Sequence, residues 1–276
     1  MLFRSRTTAG RIAIVGTTDS SSIDNAPNSY SYGTANTNDG FIVMFDPTSI
    51  AGTVYEDVDG DGAVVDDDAR LSGVTVKAYL DNGDGVIGSG DTLAATTTTS
   101  SNGLYQFGNL ANGTYWVTID SKTITSTIGL NGGFTSSDTW AEQTYAAAGA
   151  VSYSGSYSYS GAAGTFFGGM KQQTSDNAAA LTTAEHVFKV VFGGTAQTGV
   201  DAGFSFNVVT TSRDVDDSTG NRTTQGGLRQ FIQNSNALGG TQSVNFEIPT
   251  SDPNYNLSSN GKYTILPTSE LTAITE

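Results

Sequence analysis

Cysteine is absent from this chain of 276 residues, and histidine occurs once, at His186. The first absence removes disulfides and thiol chemistry from the argument, although it identifies no compartment. Basic residues are scarce: 12 Lys and Arg stand against 27 Asp and Glu, a net charge of −15. That balance argues against nucleic acid as a partner, because its phosphates demand Lys and Arg. No run reaches the roughly 18 apolar residues of a membrane helix, so no membrane span is expected. Met1–Arg6 is basic but no apolar stretch follows it, so no signal peptide is legible and any export signal is expected outside these residues. Charge is itself sparse, at 14% of residues, unlike a highly charged disordered tail.

What the chain does contain is 34 glycines and a 37% apolar content interleaved with Ser, Thr and Asn, the profile of an all-β protein with many turns. Its length allows about two domains.

Acidic residues are concentrated in two short loops. Asp57-Val58-Asp59-Gly60-Asp61-Gly62, followed after five residues by Asp68, fits the calcium-loop template D-x-[DN]-x-[DN]-G-x5-E in every position but the last, where Asp replaces Glu. Calcium is a hard cation that takes about six to eight oxygens, and acidic side chains at alternating positions supply them. Asp57, Asp59, Asp61 and Asp68 are the candidate side-chain ligands, with the carbonyl of Ala63 where a backbone oxygen usually coordinates. Gly62 sits at the sharp turn, and Val65 leaves the ninth position to water. The alternative is a solvated acidic turn that binds nothing, against which stands the mutual repulsion of crowded carboxylates lacking a cation.

A second loop, Asp81-Asn82-Gly83-Asp84-Gly85 with Gly90-Asp91, repeats the third, fifth and twelfth offsets through Asn82, Asp84 and Asp91. Leu80 occupies the first offset, so Asp81 must stand in or the loop is one residue short. A second metal site and a plain hairpin turn both fit this pattern.

Three segments differ in texture. Residues 1–48 hold two strand-like runs, Arg11–Gly16 and Gly40–Phe45, joined by a polar loop. Gly10 to Thr17 and Asp39 to Pro47 resemble a bacterial β-propeller repeat, which implies a partial propeller-type β-hairpin that cannot bury its own faces. Residues 49–120 alternate apolar and polar positions over Gly52–Glu56, Gly73–Leu80, Thr96–Thr99, Gly103–Phe107 and Gly113–Ile119, with Asn-Gly turn signals between them, as in a β-sandwich.

Gly52 and Val54, the Asp57-to-Asp68 loop, Gly73–Val76, Thr98-Thr99, and the run Gly103, Tyr105, Phe107, Leu110, Gly113, Tyr115, Val117 together resemble the calcium-binding B-type domain of serine-aspartate-repeat surface adhesins. The resemblance implies an Ig-like or prealbumin-like sandwich, stacked in tandem as a calcium-stiffened stalk on a cell surface. Val200–Phe206 resembles the V-D-x-G-F motif that closes such domains, so the domain is expected over 49–206 with a long insertion at about 121–190. Glu185–Phe192 reads as a further strand, and the Ser/Tyr/Gly run at 151–160 is low in complexity.

Residues 207–276 change character. Gly226–Ala237 is the one good helical pattern, with Leu228, Phe231 and Ile232 on one face and Gly239 as terminator. Strand-like Ser243–Ile248 and Tyr263–Leu266 follow. This order resembles the N-terminal cap of secreted right-handed parallel β-helices, one short capping helix followed by the first coils. The chain is accordingly expected to be part of a much larger protein.

Two functions from different classes follow. The first is a non-enzymatic, calcium-stabilised structural or adhesive module of a bacterial cell-surface or secreted protein, with Ca2+ as its ion. Its partners would be an extracellular protein or glycan and the neighbouring domains of the same chain. The second is an accessory region of a β-helix polysaccharide lyase or hydrolase whose catalytic coils lie beyond residue 276. No catalytic residue is nominated: His186 lacks a nucleophile in a recognisable motif, and Gly164–Gly169 lacks the Lys-Ser or Lys-Thr ending of a phosphate loop.

Overall fold

The structure is a computed structural model that describes residues 48–63, 69–170, 176–214, 222, 224–250, 252 and 262–275, together with the backbone of 3–6, 12–18, 29–31, 39–45, 255 and 256. In the N-terminal segment β1 (Phe3–Arg6), β2 (Ile12–Thr18), β3 (Ser29–Ser31) and β4 (Asp39–Phe45) form one antiparallel sheet in the order β1-β2-β4-β3. The two expected strand runs are neighbours, paired from Ile12↔Phe45 to Thr18↔Asp39. Gly10, Arg11, Asp46 and Pro47 lie outside the described residues.

The body of the chain is a sandwich. Its strands are β5 (Ser49–Glu56), β6 (Ala69–Arg70), β7 (Thr75–Leu80), β8 (Thr92–Thr98), β9 (Leu104–Gly108), β10 (Gly113–Ile119), β11 (Glu142–Ala146), β12 (Val151–Tyr153), β13 (Tyr157–Tyr159), β14 (Gly164–Thr165), β15 (Val187–Phe192) and β16 (Ala202–Ser205). One sheet runs β15-β10-β7-β8; the other runs β14-β11-β16-β5-β6, with β9 paired to the first half of β5. Strand pleat sends alternate residues to opposite faces. Val76 and Ala78 of β7, Tyr115, Val117 and Ile119 of β10, and Phe188 and Phe192 of β15 therefore meet Val54 and Phe204 of the facing sheet in one buried core.

Closure of the second sheet depends on β16, which lies parallel to β5 with Ala202↔Val54, Gly203↔Tyr55 and Phe204↔Glu56 in register. The chain entering β16 crosses β5 at Gly52, where a Cβ would stand 1.9 Å from the Val200 carbonyl oxygen. Only glycine admits that approach, and Tyr105 Oη donates to the same carbonyl at 2.6 Å.

The segment between β10 and β15 is part of this architecture. It supplies β11 to the interior of the second sheet, against β16. It also covers the outer face of the first sheet. Val151, Met170, Ala178, Leu181 and Ala184 pack on Tyr79, Trp116 and Val187, which point away from the main core. The β15-β10-β7 part of this sheet thus carries packed side chains on both faces, whereas β8 is largely exposed.

Residues beyond Phe206 form β17 (Val208–Val209), α1 (Leu228–Ala237), β18 (Asn245–Phe246), β19 (Tyr255–Asn256) and β20 (Lys262–Tyr263). β17 and β18 pair in parallel around the helix. The apolar face of α1 buries Phe231 and Ile232 against Val209 and Ile248. Its polar face is buried too: Asn234 accepts from Trp140 N at 2.9 Å and donates to the Trp140 and Phe206 carbonyls at 3.0 Å each. The helix ends at Leu238, whose N–H returns to Asn234 O, and Gly239 already bonds outward to Gly129 O. Of the two C-terminal strand runs read from the sequence, Ser243–Ile248 is strand only at Asn245–Phe246 and Tyr263–Leu266 only at Tyr263.

Candidate metal centre

The first acidic loop leaves the sheet at Asp57, whose N–H still bonds to Phe204 O of β16 at 2.8 Å. Burial of Asp57 is complete, whereas Asp59 and Asp61 are exposed. The Asp57 carboxylate organises the turn: Oδ1 accepts from Gly60 N at 2.8 Å and Asp61 N at 3.2 Å, and Oδ2 accepts from Gly62 N at 2.9 Å. Asp61 N also reaches Asp59 Oδ1 at 3.3 Å, and Ala63 N reaches Asp61 Oδ1 at 2.6 Å. Gly60 and Gly62 take the positive φ values, 73° and 74°, that let the chain fold back on this carboxylate.

As a result, one oxygen from each of Asp57, Asp59 and Asp61 lies within 4.8 Å of the others. The Thr144 hydroxyl faces the Asp57 carboxyl from β11 and favours its charged form. Asp68, together with Val65, lies outside the described residues.

The second loop repeats the pattern. Gly85 N bonds to both oxygens of Asp81 at 3.2 Å, where Gly62 N bonds to Oδ2 of Asp57 alone. Asp84 N meets Asn82 Oδ1 at 3.0 Å, and Val86 N meets Asp84 Oδ1 at 2.8 Å. Asn82, Asp84 and Gly85 therefore stand where Asp59, Asp61 and Gly62 stand, and Asp81 takes the place of Asp57 with one fewer residue between. Asp91 closes the loop by accepting from Asn82 N at 3.0 Å and Gly88 N at 2.9 Å. Carboxylate oxygens of Asp81, Asp84 and Asp91 also lie within 4.8 Å of one another.

One contact at this loop was not legible from spacing. Trp116 Nε1 donates to Asp81 Oδ1 at 3.2 Å, across 35 positions of sequence. Lys189 Nζ sits 5.3 Å from the Trp116 ring and 4.3 Å from the Tyr159 ring, and Tyr159 Oη donates to Gly85 O at 3.1 Å. The loop is thereby fastened to the outer face of the first sheet.

Burial raises the Asp57 pKa above its ordinary value of 3.8, and the adjoining Asp59 carboxyl adds to the shift. The folded chain then keeps a proton that the unfolded chain has released, so cation-free stability falls as pH rises from 3.8 through the raised folded value. Asp57→Asn removes this slope. Urea denaturation in chelator at a series of pH values measures it, and a wild-type slope of opposite sign at Asp57 would exclude the assignment.

His186 is elsewhere, fully buried beside Phe204. Its Nδ1 meets Gln143 Oε1 at 2.9 Å and its Nε2 meets Gln225 Oε1 at 3.3 Å, with Asp176 Oδ2 at 3.7 Å. Asp176 accepts from Ser121 Oγ at 2.5 Å and Glu185 N at 3.1 Å, and Ser121 Oγ accepts from Trp140 Nε1 at 2.8 Å. Ser121, Asp176 and His186 are all 0% exposed, and the serine hydroxyl is spent on the carboxylate rather than presented to the imidazole. This trio is a buried polar junction, not a nucleophile with its base.

Residues 48–156 match the SdrD B-like domain family. The matched stretch is under half of the chain and includes both acidic loops. Among solved structures, a mutant of the shaft pilin SpaA from Lactobacillus rhamnosus GG is similar at 11% identity, over 57% of this chain and 97% of that one, with a TM-score of 0.22. So low a TM-score carries no argument about the fold. Among the described residues no helix is long and apolar enough to cross a membrane.

Proposed function

We propose that this chain is a structural module of a bacterial cell-surface or secreted protein, of the adhesin or stalk type, whose sandwich is stiffened by calcium in its two acidic loops. The observation that supports this reading is the shared hydrogen-bond pattern of the loops. In each, a leading carboxylate gathers backbone N–H groups so that further carboxylates converge, an arrangement that is repulsive until a cation neutralises it. Asp57, Asp59, Asp61, Asp68 and the Ala63 carbonyl would hold one ion, and Asp81, Asn82, Asp84 and Asp91 the other. The ion supplies charge neutralisation and oxygen coordination. The chain supplies the closed turns and their attachment to the two sheets. The match to the SdrD B-like family supports the surface role. Neighbouring domains of a longer chain and an extracellular protein or glycan would be the partners.

Calorimetry with calcium and with chelator tests the reading. A ligand that binds only the folded state adds about 2.7 kcal/mol at a hundredfold excess over its dissociation constant. With about 2–4 °C per kcal/mol for a domain of this size, calcium raises the melting temperature by about 5–10 °C. Asp61→Ala loses the contribution of the first loop. Trp116 fluorescence reports the second, because its indole N–H bonds to Asp81. Identical melting curves in calcium and chelator would overturn the proposal.

A second reading attaches to residues 207–276 alone. The parallel pairing of β17 and β18 around α1 favours the start of a parallel β-helix, which would make the chain an accessory to a polysaccharide-cleaving enzyme. Depolymerisation of acidic polysaccharides by the longer protein, with none by this chain, would support it.

A further inference from the structure

The first acidic loop has a second side. While its carboxylates gather on one side, its backbone carbonyls are taken by two side-chain amides from the unit beyond Phe206. Asn207 Nδ2 donates to Val58 O at 2.9 Å, and Asn245 Nδ2 donates to Asp59 O at 2.8 Å and Gly60 O at 3.1 Å. The two asparagines are themselves joined, Asn245 N to Asn207 O at 2.9 Å, at the head of the β17–β18 pair. Contact is close: a Cβ on Gly60 would stand 2.9 Å from Val208 Cγ1 and 3.3 Å from Asn245 Nδ2. Three consecutive carbonyls of a loop present this spacing only while the turn is wound around Asp57. An opened loop would swing them out of reach of both amides.

We infer that the Asp57–Ala63 loop is a latch between the sandwich and the C-terminal unit, and that a divalent cation in the loop tightens the seating of that unit. The cation part rests on the calcium reading above; the amide clamp does not. A cation drawing Asp57, Asp59 and Asp61 together favours the wound turn, which is the form the asparagines bind. The two events are therefore linked, and the linkage is reciprocal: whatever factor the cation adds to seating, seating adds to cation affinity. Coupling between such sites is typically about 5–150-fold.

Hydrogen exchange by mass spectrometry on the full chain tests this, with calcium or chelator, for wild type, Asn245→Ala and Asn245→Asp. In wild type, calcium slows exchange in the loop at 57–63 and also at 244–248, where the amides of Asn245 and Glu247 pair with β17, the latter by about tenfold. Both variants keep the calcium effect in the loop, lose it at 244–248, and bind calcium about fivefold more weakly by titration. In chelator alone, they exchange faster than wild type at 57–63, because the clamp has lost its donor. Calcium protection confined to the loop, with variant affinity equal to wild type, overturns the coupling and leaves the calcium reading intact. No calcium effect anywhere overturns the calcium reading and the cation part together. Unchanged exchange of both variants in chelator overturns the clamp itself.

Discussion

Trp116→Ala lowers stability by about 3–5 kcal/mol, the usual cost of emptying a buried tryptophan site. Trp116 is fully buried, yet it points away from the core between the two sheets. Its ring is packed by the segment that crosses the outer face, is approached by Lys189, and anchors the second acidic loop through Asp81. The substitution therefore removes the centre of a second core and releases the loop together. Chemical denaturation measures the loss, which corresponds to a melting temperature about 10 °C lower for a domain of this size. Val191→Ala is the control: it lies on the neighbouring strand β15 of the same sheet, is 69% exposed, and leaves stability within about 0.5 kcal/mol. A loss below about 1 kcal/mol for Trp116→Ala would mean that the outer layer is a loose cover and not a core.

Asp176→Ala has an effect of similar size through a different cause. Two donors, Ser121 Oγ and Glu185 N, lose a fully buried acceptor, and hydrogen bonds to a charged group contribute about 1.5–3 kcal/mol each. The expected loss is thus about 3–6 kcal/mol, because both donors are left unpaired at a fully buried site. Asp176→Asn keeps one acceptor oxygen and costs less than the alanine variant. Equilibrium unfolding of the three proteins gives the comparison, and equal stability of Asp176→Ala and wild type would show that the junction is not fastened through this carboxylate.

Much of the sandwich was legible because its signal is local. In β7 the residues Val76 and Ala78 alternate with Thr75 and Lys77, and β9 and β10 carry the same period between Asn-Gly turns. The converging carboxylates of the first loop were legible too, since one short stretch holds the turn glycine and the acidic positions.

What escaped depends on partners distant in sequence. β11 begins Glu142-Gln143-Thr144, three buried polar residues that look like a surface. Glu142 and Gln143 are met by Thr210 and His186, which spacing along the chain does not reveal. The outer layer has no period to read, because Val151 comes from the three-residue strand β12, Leu181 from a 3-10 turn, and Met170 and Ala178 from irregular chain. The helix displayed its apolar face in the sequence, whereas Asn234 is buried because Trp140 and Phe206 present backbone groups to it. Asp81 was ambiguous for a similar reason: the offset count placed Leu80 first, and only the bonds to Gly83, Gly85 and Trp116 show which carboxylate leads the loop.

The parallel pairing of β5 with β16 also determines how the sandwich meets tension. Its first strand enters at Ser49 and its last leaves at Ser205, side by side and running the same way. A pull between the two ends of the domain drags these neighbours in opposite directions along their own axes. The bonds joining Val54, Tyr55 and Glu56 to Ala202, Gly203 and Phe204 are then sheared together, and Gly52, seated under the Val200 carbonyl, stands in the path of the slide. A hairpin pulled from its open end gives way one rung at a time; here the load is divided among all the rungs at once.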